Sequence, residues 1–293
     1  MKNTNNGYSY AMTGTLSKSF ESGLYASLSY TYTDSRSVND GGSIAQSMWR
    51  DRLVSGDPNA DVTSYSNFLQ AHRIVGFGSY KVNYLNNKMA TTFGFTYATG
   101  PAGRFSYSYS GDMNGDGLNT NDLIYIPRDQ SEILLKNLAV GTTTYTAAQQ
   151  WTDLNNYISQ DSYLNSRRGQ YAERNGAELP WSTNFDFKII QDFNIKIGGK
   201  TNTLQFTFDM FNAGNYVSPN WGLNQSSNRA ALMNFVGYDN AAGFVSAGST
   251  PTGKPVFTFP YINGTNPLTE TFQKSTGLGS RWQGQVGVRY IFN

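Results

Sequence analysis

The most constraining feature of this chain is an alternation of side-chain character with a period of two, sustained over segments of about ten residues. That is the period of an extended strand, whose successive side chains point to opposite faces. Residues 8 to 18 set Tyr8, Tyr10, Met12, Gly14 and Leu16 on one face against Ser9, Ala11, Thr13, Thr15 and Ser17 on the other. After the turn Glu21-Ser22-Gly23, residues 24 to 34 repeat the scheme, with Leu24, Ala26, Leu28, Tyr30 and Tyr32 opposite Ser27, Ser29, Thr31 and Thr33. Residues 72 to 84 and 88 to 98 follow, the second with Met89, Phe93, Phe95 and Tyr97 facing away from Thr92, Gly94 and Thr96. Residues 183 to 197, 203 to 212 and 281 to 292 complete the set, the clearest alternation being Phe185, Phe187, Ile189, Phe193 and Ile195 against Asn184, Asp186, Lys188, Asp192 and Lys196. The expected fold class is all-β, built on seven antiparallel strands.

Strand length decides between two settings for such strands. Strands of soluble sandwiches average ~5 to 6 residues, whereas a tilted membrane strand needs ~9 to 11. The length therefore favours an antiparallel transmembrane β-barrel, with a soluble β-sandwich or β-helix as the alternative. Composition agrees. Only 14% of the 293 residues are charged and 15% are aromatic, yet the mean hydropathy is −0.48. A wall with one face in lipid and the other lined by Thr, Ser, Asn and Gln averages to that mixture. Connections alternate as well: those at 20–23, 84–88 and 198–202 are short, and those at 35–71, 99–182 and 213–280 are long. Tight periplasmic turns and large extracellular loops are the pattern of outer-membrane barrels. Seven is an odd number, so the first and last strands run parallel and cannot close an antiparallel barrel. With a polar start, Lys2-Asn3-Thr4-Asn5-Asn6, in place of a signal peptide, the expectation is one C-terminal barrel portion spanning 1–293, with further strands upstream.

Several function classes are excluded or weakened. No apolar run approaches the ~20 residues of a membrane-spanning helix. A net charge of +2, with no basic cluster beyond Arg167-Arg168, gives little support to nucleic-acid binding. There are no cysteines and one histidine, His72, so thiolate metal sites and a catalytic dyad have no material. No phosphate loop or nucleophile elbow is present, the scattered carboxylates form no acid–base pair, and no enzyme activity or cofactor is expected. The best metal candidate is Asp112-Met113-Asn114-Gly115-Asp116-Gly117-Leu118-Asn119-Thr120-Asn121-Asp122, which resembles the front half of an EF-hand loop. Asp112, Asn114, Asp116, the Leu118 carbonyl and Asp122 could hold a structural Ca²⁺; the competing reading is an Asx turn without metal. Arg167, Arg168 and Arg174 are candidates for an anionic or hydroxyl-rich substrate, or for loop salt bridges. Residues 43–53 and 147–164 suit short loop helices, with Trp49 and Trp151 as packing anchors.

The last strand reads Gln285-Val286-Gly287-Val288-Arg289-Tyr290-Ile291-Phe292. Its Gln285, Gly287, Tyr290 and Phe292 resemble the terminal-strand signal by which outer-membrane barrels engage the barrel-assembly machinery. Three further runs extend the likeness: Asn114-Gly115-Asp116-Gly117 through Asn121-Asp122-Leu123-Ile124-Tyr125-Ile126-Pro127, Arg167-Arg168-Gly169-Gln170-Tyr171-Ala172-Glu173-Arg174-Asn175-Gly176 with Leu179-Pro180-Trp181, and Phe211-Asn212-Ala213-Gly214-Asn215. Together they resemble the C-terminal barrel of TonB-dependent outer-membrane receptors, most nearly the Oar-like branch, which starts with a carboxypeptidase-regulatory-like domain and neighbours the SusC-like importers of Bacteroidetes. The resemblance implies a barrel of about 22 strands, residence in the bacterial outer membrane among its lipids, and energised uptake of a bulky glycan, peptide or chelate. It also implies coupling to TonB through a plug that lies upstream of these residues. An Oar-type surface adhesin or secretion-linked barrel is the alternative function, and a soluble glycan-binding β-domain the second.

Overall fold

The computed structural model describes residues 4–248, 252–262 and 266–292. Seven long strands form one antiparallel meander in chain order: β1 (Gly7–Ser19), β2 (Leu24–Ser37), β3 (His72–Tyr84), β4 (Met89–Pro101), β5 (Trp181–Ile197), β6 (Lys200–Phe211) and β7 (Gln283–Ile291). All seven alternating segments are strands, and each pairs with the next. Several run further than the alternation does. β2 continues to Ser37 and β5 begins at Trp181, because the backbone ladder persists beyond the level at which the two faces must differ. The sheet is open: β1 and β7 each keep one long edge without a strand partner among the described residues.

Tight turns close one end of the sheet. Ile197-Gly198-Gly199-Lys200 is a two-residue hairpin with φ of 58° and 82° at the glycines, the left-handed pair that matches strand twist and that glycine adopts without steric cost. Leu85, Asn86 and Asn87 reach the same region, with φ of 53°, 54° and 63°. Asn194 braces this turn, donating its backbone N–H to the Lys88 carbonyl at 2.8 Å and Nδ2 to the Asn87 carbonyl at 2.8 Å.

The long connections all leave the opposite end, and they are not structureless. They assemble a cap with a hydrophobic core of its own, including Tyr107, Tyr109, Ile124, Ile126, Leu154, Tyr157, Leu164, Leu232, Phe257 and Phe259. A five-stranded sheet crosses it, and two of its pairings are parallel: Ser108–Ser110 with Ala231–Asn240, and Leu134–Leu135 with Lys254–Thr258. Helix α1 (Ala147–Gln160) starts in a capping box. Thr146 Oγ1 accepts the Gln149 N–H at 3.2 Å, and Gln149 Oε1 accepts the Thr146 N–H at 2.8 Å. Its buried stripe is Gln150, Leu154, Tyr157 and Ile158, at helical spacing. Asp161 ends α1 and opens helix α2 (Ser162–Ser166), accepting hydrogen bonds from the Leu164 N–H at 2.9 Å, the Tyr107 hydroxyl at 2.6 Å and the Thr271 hydroxyl at 2.8 Å.

Gln150 is the buried clamp of this cap. Its Nε2 donates to the carbonyls of Lys136 at 2.7 Å and Tyr145 at 3.1 Å, and its Oε1 accepts the Phe259 N–H at 3.0 Å. One side chain thus satisfies three backbone groups at the centre of a core, where an unpaired group costs about 1–3 kcal/mol.

Candidate functional site

Register places the two faces of the sheet in contrast. One face carries cross-strand rows such as Leu16, Leu28, Gly76, Tyr97 and Phe185, then Leu24, Tyr80, Phe93, Ile189, Phe208 and Val286, then Tyr84, Met89, Phe193, Leu204 and Tyr290. The other carries Thr15 with Ser29, Gly94 with Lys188, Asp209 and Gln285, and Ala90 with Asp192, Gln205 and Arg289. Two of its carboxylates have cross-strand partners: Lys188 Nζ lies 2.8 Å from Asp209 Oδ1, and Gln205 Nε2 donates to Asp192 Oδ1 at 2.8 Å. Its larger apolar members include Tyr25, Val75, Phe77, Ile190, Phe211 and Ile291.

On β2, β4 and β6 burial runs opposite to polarity, whereas on β3 the exposed residues include Arg73, Phe77 and Lys81 of the polar face, and on β1 and β7 both faces are largely exposed. On β2, Leu28 is 54% exposed while its neighbours Ser27 and Ser29 are half-buried, and Val286 on β7 is 79% exposed. Exposed large side chains of the apolar face include Leu16, Leu28, Tyr30, Tyr80, Phe93, Phe95, Phe185, Phe206, Phe208, Val286, Val288 and Tyr290. Full burial of such a side chain stabilises by roughly 1.5–3 kcal/mol. Leaving this face in water forgoes on the order of 10 kcal/mol, as much as the whole stability of an ordinary domain.

Aromatic rings mark the cap end of that face. His72 Nδ1 and the Tyr30 hydroxyl share a hydrogen bond of 2.8 Å, and the His72 ring stacks on Trp181 at 6.1 Å between centroids. Tyr216 meets Trp282 edge-on at 5.4 Å. At the turn end, Tyr84, Phe193 and Tyr290 lie in one row. From His72 to Tyr84, β3 extends roughly 40 Å at ~3.3 Å per residue. On β7, Tyr290 lies opposite Leu204 on the apolar face, while Gln285 and Gly287 lie opposite Asp209 and Thr207 on the polar one. A Cβ at Gly287 would sit 2.7 Å from the Thr207 hydroxyl, which is why a side chain crowds that position.

The three arginines singled out from sequence are brought into the cap, where much of their donor capacity is already in use. Arg174 is buried; its Nη1 donates to the Val38 carbonyl at 2.6 Å and its Nη2 to that of Ser37 at 2.5 Å. Burial holds its guanidinium below the usual range, against the attraction of Asp40. Arg167 pairs with Glu173 at 3.3 Å and donates to the Tyr171 carbonyl. Arg168 donates to Asn165, to Ser159 and to the Pro127 carbonyl. Arg167 and Arg174 still line a cleft of about 270 Å³, joined there by Arg52, whose pKa burial also lowers. Arg52 was not singled out from sequence, and nothing in its local pattern marks it. Trp151 packs against the cap core, whereas Trp49 is half-exposed and donates to Asn59 Oδ1 at 3.1 Å.

The acidic loop is closed by its own backbone. Asp112 Oδ1 accepts the N–H groups of Gly115 at 2.7 Å and Asp116 at 3.0 Å, and its Oδ2 accepts that of Gly117 at 2.8 Å. Asn114 Oδ1 accepts the Asp116 N–H at 2.9 Å, and Asp116 Oδ1 that of Leu118 at 2.9 Å. Asp122 is buried, and its Oδ2 accepts the Met113 N–H at 3.0 Å and the Asn114 N–H at 3.3 Å. Among the described residues no group of three or more His, Cys, Asp or Glu side chains is arranged to hold a metal ion. As it stands, the loop is a network of Asx turns. To ligate Ca²⁺ through Asp112, Asn114, Asp116, Leu118 and Asp122, it has to turn these oxygens from amides to the ion.

Burial pushes the Asp122 carboxyl pKa up, with the charges of Asp116 and Asp112 adding to it and the two amide hydrogen bonds opposing. A carboxyl raised in this way contributes stability that is complete below its unfolded value, about 3.9, and is lost as pH rises through the folded value. Asp122→Asn keeps an oxygen for both amides and removes the buried charge. We expect amide protection of Met113 and Asn114 to fall with rising pH in the wild-type loop and to stay level in the variant. Tight calorimetric Ca²⁺ binding that Asp122→Asn abolishes would instead show the loop serving as a cation site.

Comparison with family models, with curated proteins and with solved structures finds no match to this chain.

Proposed function

We propose that this chain is a section of an outer-membrane β-barrel wall with its extracellular cap, and that it serves a TonB-dependent receptor importing a bulky substrate. The observation carrying this reading is the exposure of the sheet's aromatic and aliphatic face, while the extensive hydrophobic core among the described residues lies in the loops. Lipid is the environment that makes such a face favourable, and it also demands a partner for every backbone group. The open edges of β1 and β7 are accordingly the places where further strands complete the ladder. In this arrangement the wall is rigid and polar inside, the cap with its arginine-lined cleft meets the substrate, and a plug from elsewhere in the receptor gates passage. Assembly would proceed through the terminal-strand signal at Gln285, Gly287, Tyr290 and Phe292.

A surface adhesin or secretion-linked barrel is the second reading, favoured by the self-contained cap core, which could present a binding surface without any passage. The coding sequence upstream separates the two, since an importer carries a plug and a TonB box in the same frame. The membrane assignment itself is tested by fractionation. The protein is expected in the outer membrane, resisting alkaline and urea washes and leaving it only with detergent. A monodisperse protein obtained without detergent contradicts the proposal.

A further inference from the structure

On the apolar face, directly under the cap, lies a groove of about 790 Å³. Its floor is the sheet itself, through Tyr97, Phe187 and Met210, and it is overhung by the connection that follows β6, through Val217 and Trp221. That overhang is preformed. Asn212 and Asn215 are both buried; Asn212 Nδ2 donates to the Gly222 carbonyl at 2.9 Å and Asn215 Nδ2 to that of Trp221 at 3.0 Å. At Gly222, φ is +62° and a Cβ would fall 1.7 Å from Asn212 Oδ1, so the turn closes only with glycine. Val217 and Trp221 nevertheless stay exposed, at 73% and 60%.

One charged residue lines the groove. Lys274 is exposed at its edge, with Nζ donating to Asn220 Oδ1 at 3.1 Å, and no carboxylate is among the lining residues. An apolar trough on a lipid-facing wall, level with the aromatic girdle of Trp181 and Trp282 and edged by a single cation, is complementary to an amphiphile with an acyl chain and a negative headgroup. A Lys at that depth keeps its stem on apolar surface and its ammonium at the headgroup level.

We propose that this groove holds an acyl chain of an anionic membrane lipid, with Lys274 pairing to the headgroup phosphate. The inference rests on the membrane reading above. Its test is quenching of Trp221 fluorescence in the protein reconstituted into phosphatidylcholine vesicles doped with brominated-acyl phosphatidylglycerol or brominated-acyl phosphatidylcholine. The Trp221 signal is taken as the difference from Trp221→Phe. One lysine near an anionic headgroup contributes a preference of about fivefold. We expect that preference for phosphatidylglycerol at Trp221 in the wild type and a ratio near one in Lys274→Gln. Equal quenching by the two lipids, or a preference that survives Lys274→Gln, overturns the lipid site. So does a Trp221 shielded from both while Trp282 is quenched, which would mean that protein fills the groove. Absence of quenching at every tryptophan contradicts the membrane reading itself.

Discussion

Ile189→Arg is expected to cost the wall about 2–4 kcal/mol of stability in the bilayer, a shift of roughly thirty- to nine-hundredfold in the folded population. Ile190→Arg, one residue on, is expected to cost less than about 1 kcal/mol. The two positions share a residue type and a strand but not a face. Ile189 stands between Phe93 and Phe208 in the apolar row, and Ile190 between Thr92 and Thr207 on the polar side. In the proposed membrane wall a guanidinium at 189 must leave water for hydrocarbon, whereas at 190 it enters a surface already carrying Lys188 and Asp192. Urea titration of the protein in vesicles, followed by the heat-dependent gel shift of folded barrels, reads the difference. Equal costs at the two positions would mean that the faces do not see different solvents.

Phe259→Ala is expected to destabilise the cap by about 3–5 kcal/mol and to leave the wall standing. Phe259 is fully buried, packs against Tyr157 and Tyr261, and donates its backbone N–H to Gln150. The cap core is drawn from the connections, so its loss removes few side chains that support β4 or β5. Hydrogen exchange should quicken at Ile158, Leu232 and Phe257 while the amides shared by β4 and β5 stay protected. Exchange that quickens together in cap and wall would show a single cooperative unit in place of two.

The seven-stranded sheet was legible in the sequence because an extended strand whose two faces differ in character must alternate along its length. Phe185 to Ile195 on β5 carries that demand at nearly every position, and the hairpin glycines at 198 and 199 fix its turn. The cap was not legible, for equally physical reasons. Its strands are two to ten residues long and two of their pairings are parallel across more than a hundred residues, as that of Ser108–Ser110 with Ala231–Asn240; no periodicity announces such a contact. Helix α1 falls within the stretch 147–164 that suits short helices, but nothing in the sequence marks Gln150 as the buried residue that accepts the Phe259 N–H. The acidic loop is ambiguous for a different reason. The residue types that hold a hard cation also close Asx turns, and the spacing cannot say whether oxygens face an ion or backbone amides. Arg174 lay in a run of cationic residues that suits substrate binding, yet its guanidinium tethers the end of β2 to the cap.

The central claim is that the apolar face meets lipid. The chain has no cysteine, so single nitroxide labels can be placed along β5 at Phe187, Lys188, Ile189, Ile190, Asp192 and Phe193 in the protein reconstituted into vesicles. Collision with oxygen, which concentrates in hydrocarbon, and with a water-soluble nickel chelate then reports the solvent at each position. We predict a period of two, with oxygen favoured at 187, 189 and 193 and nickel at 188, 190 and 192. Nickel access on both faces, or an apolar face closed to both reagents, would contradict it.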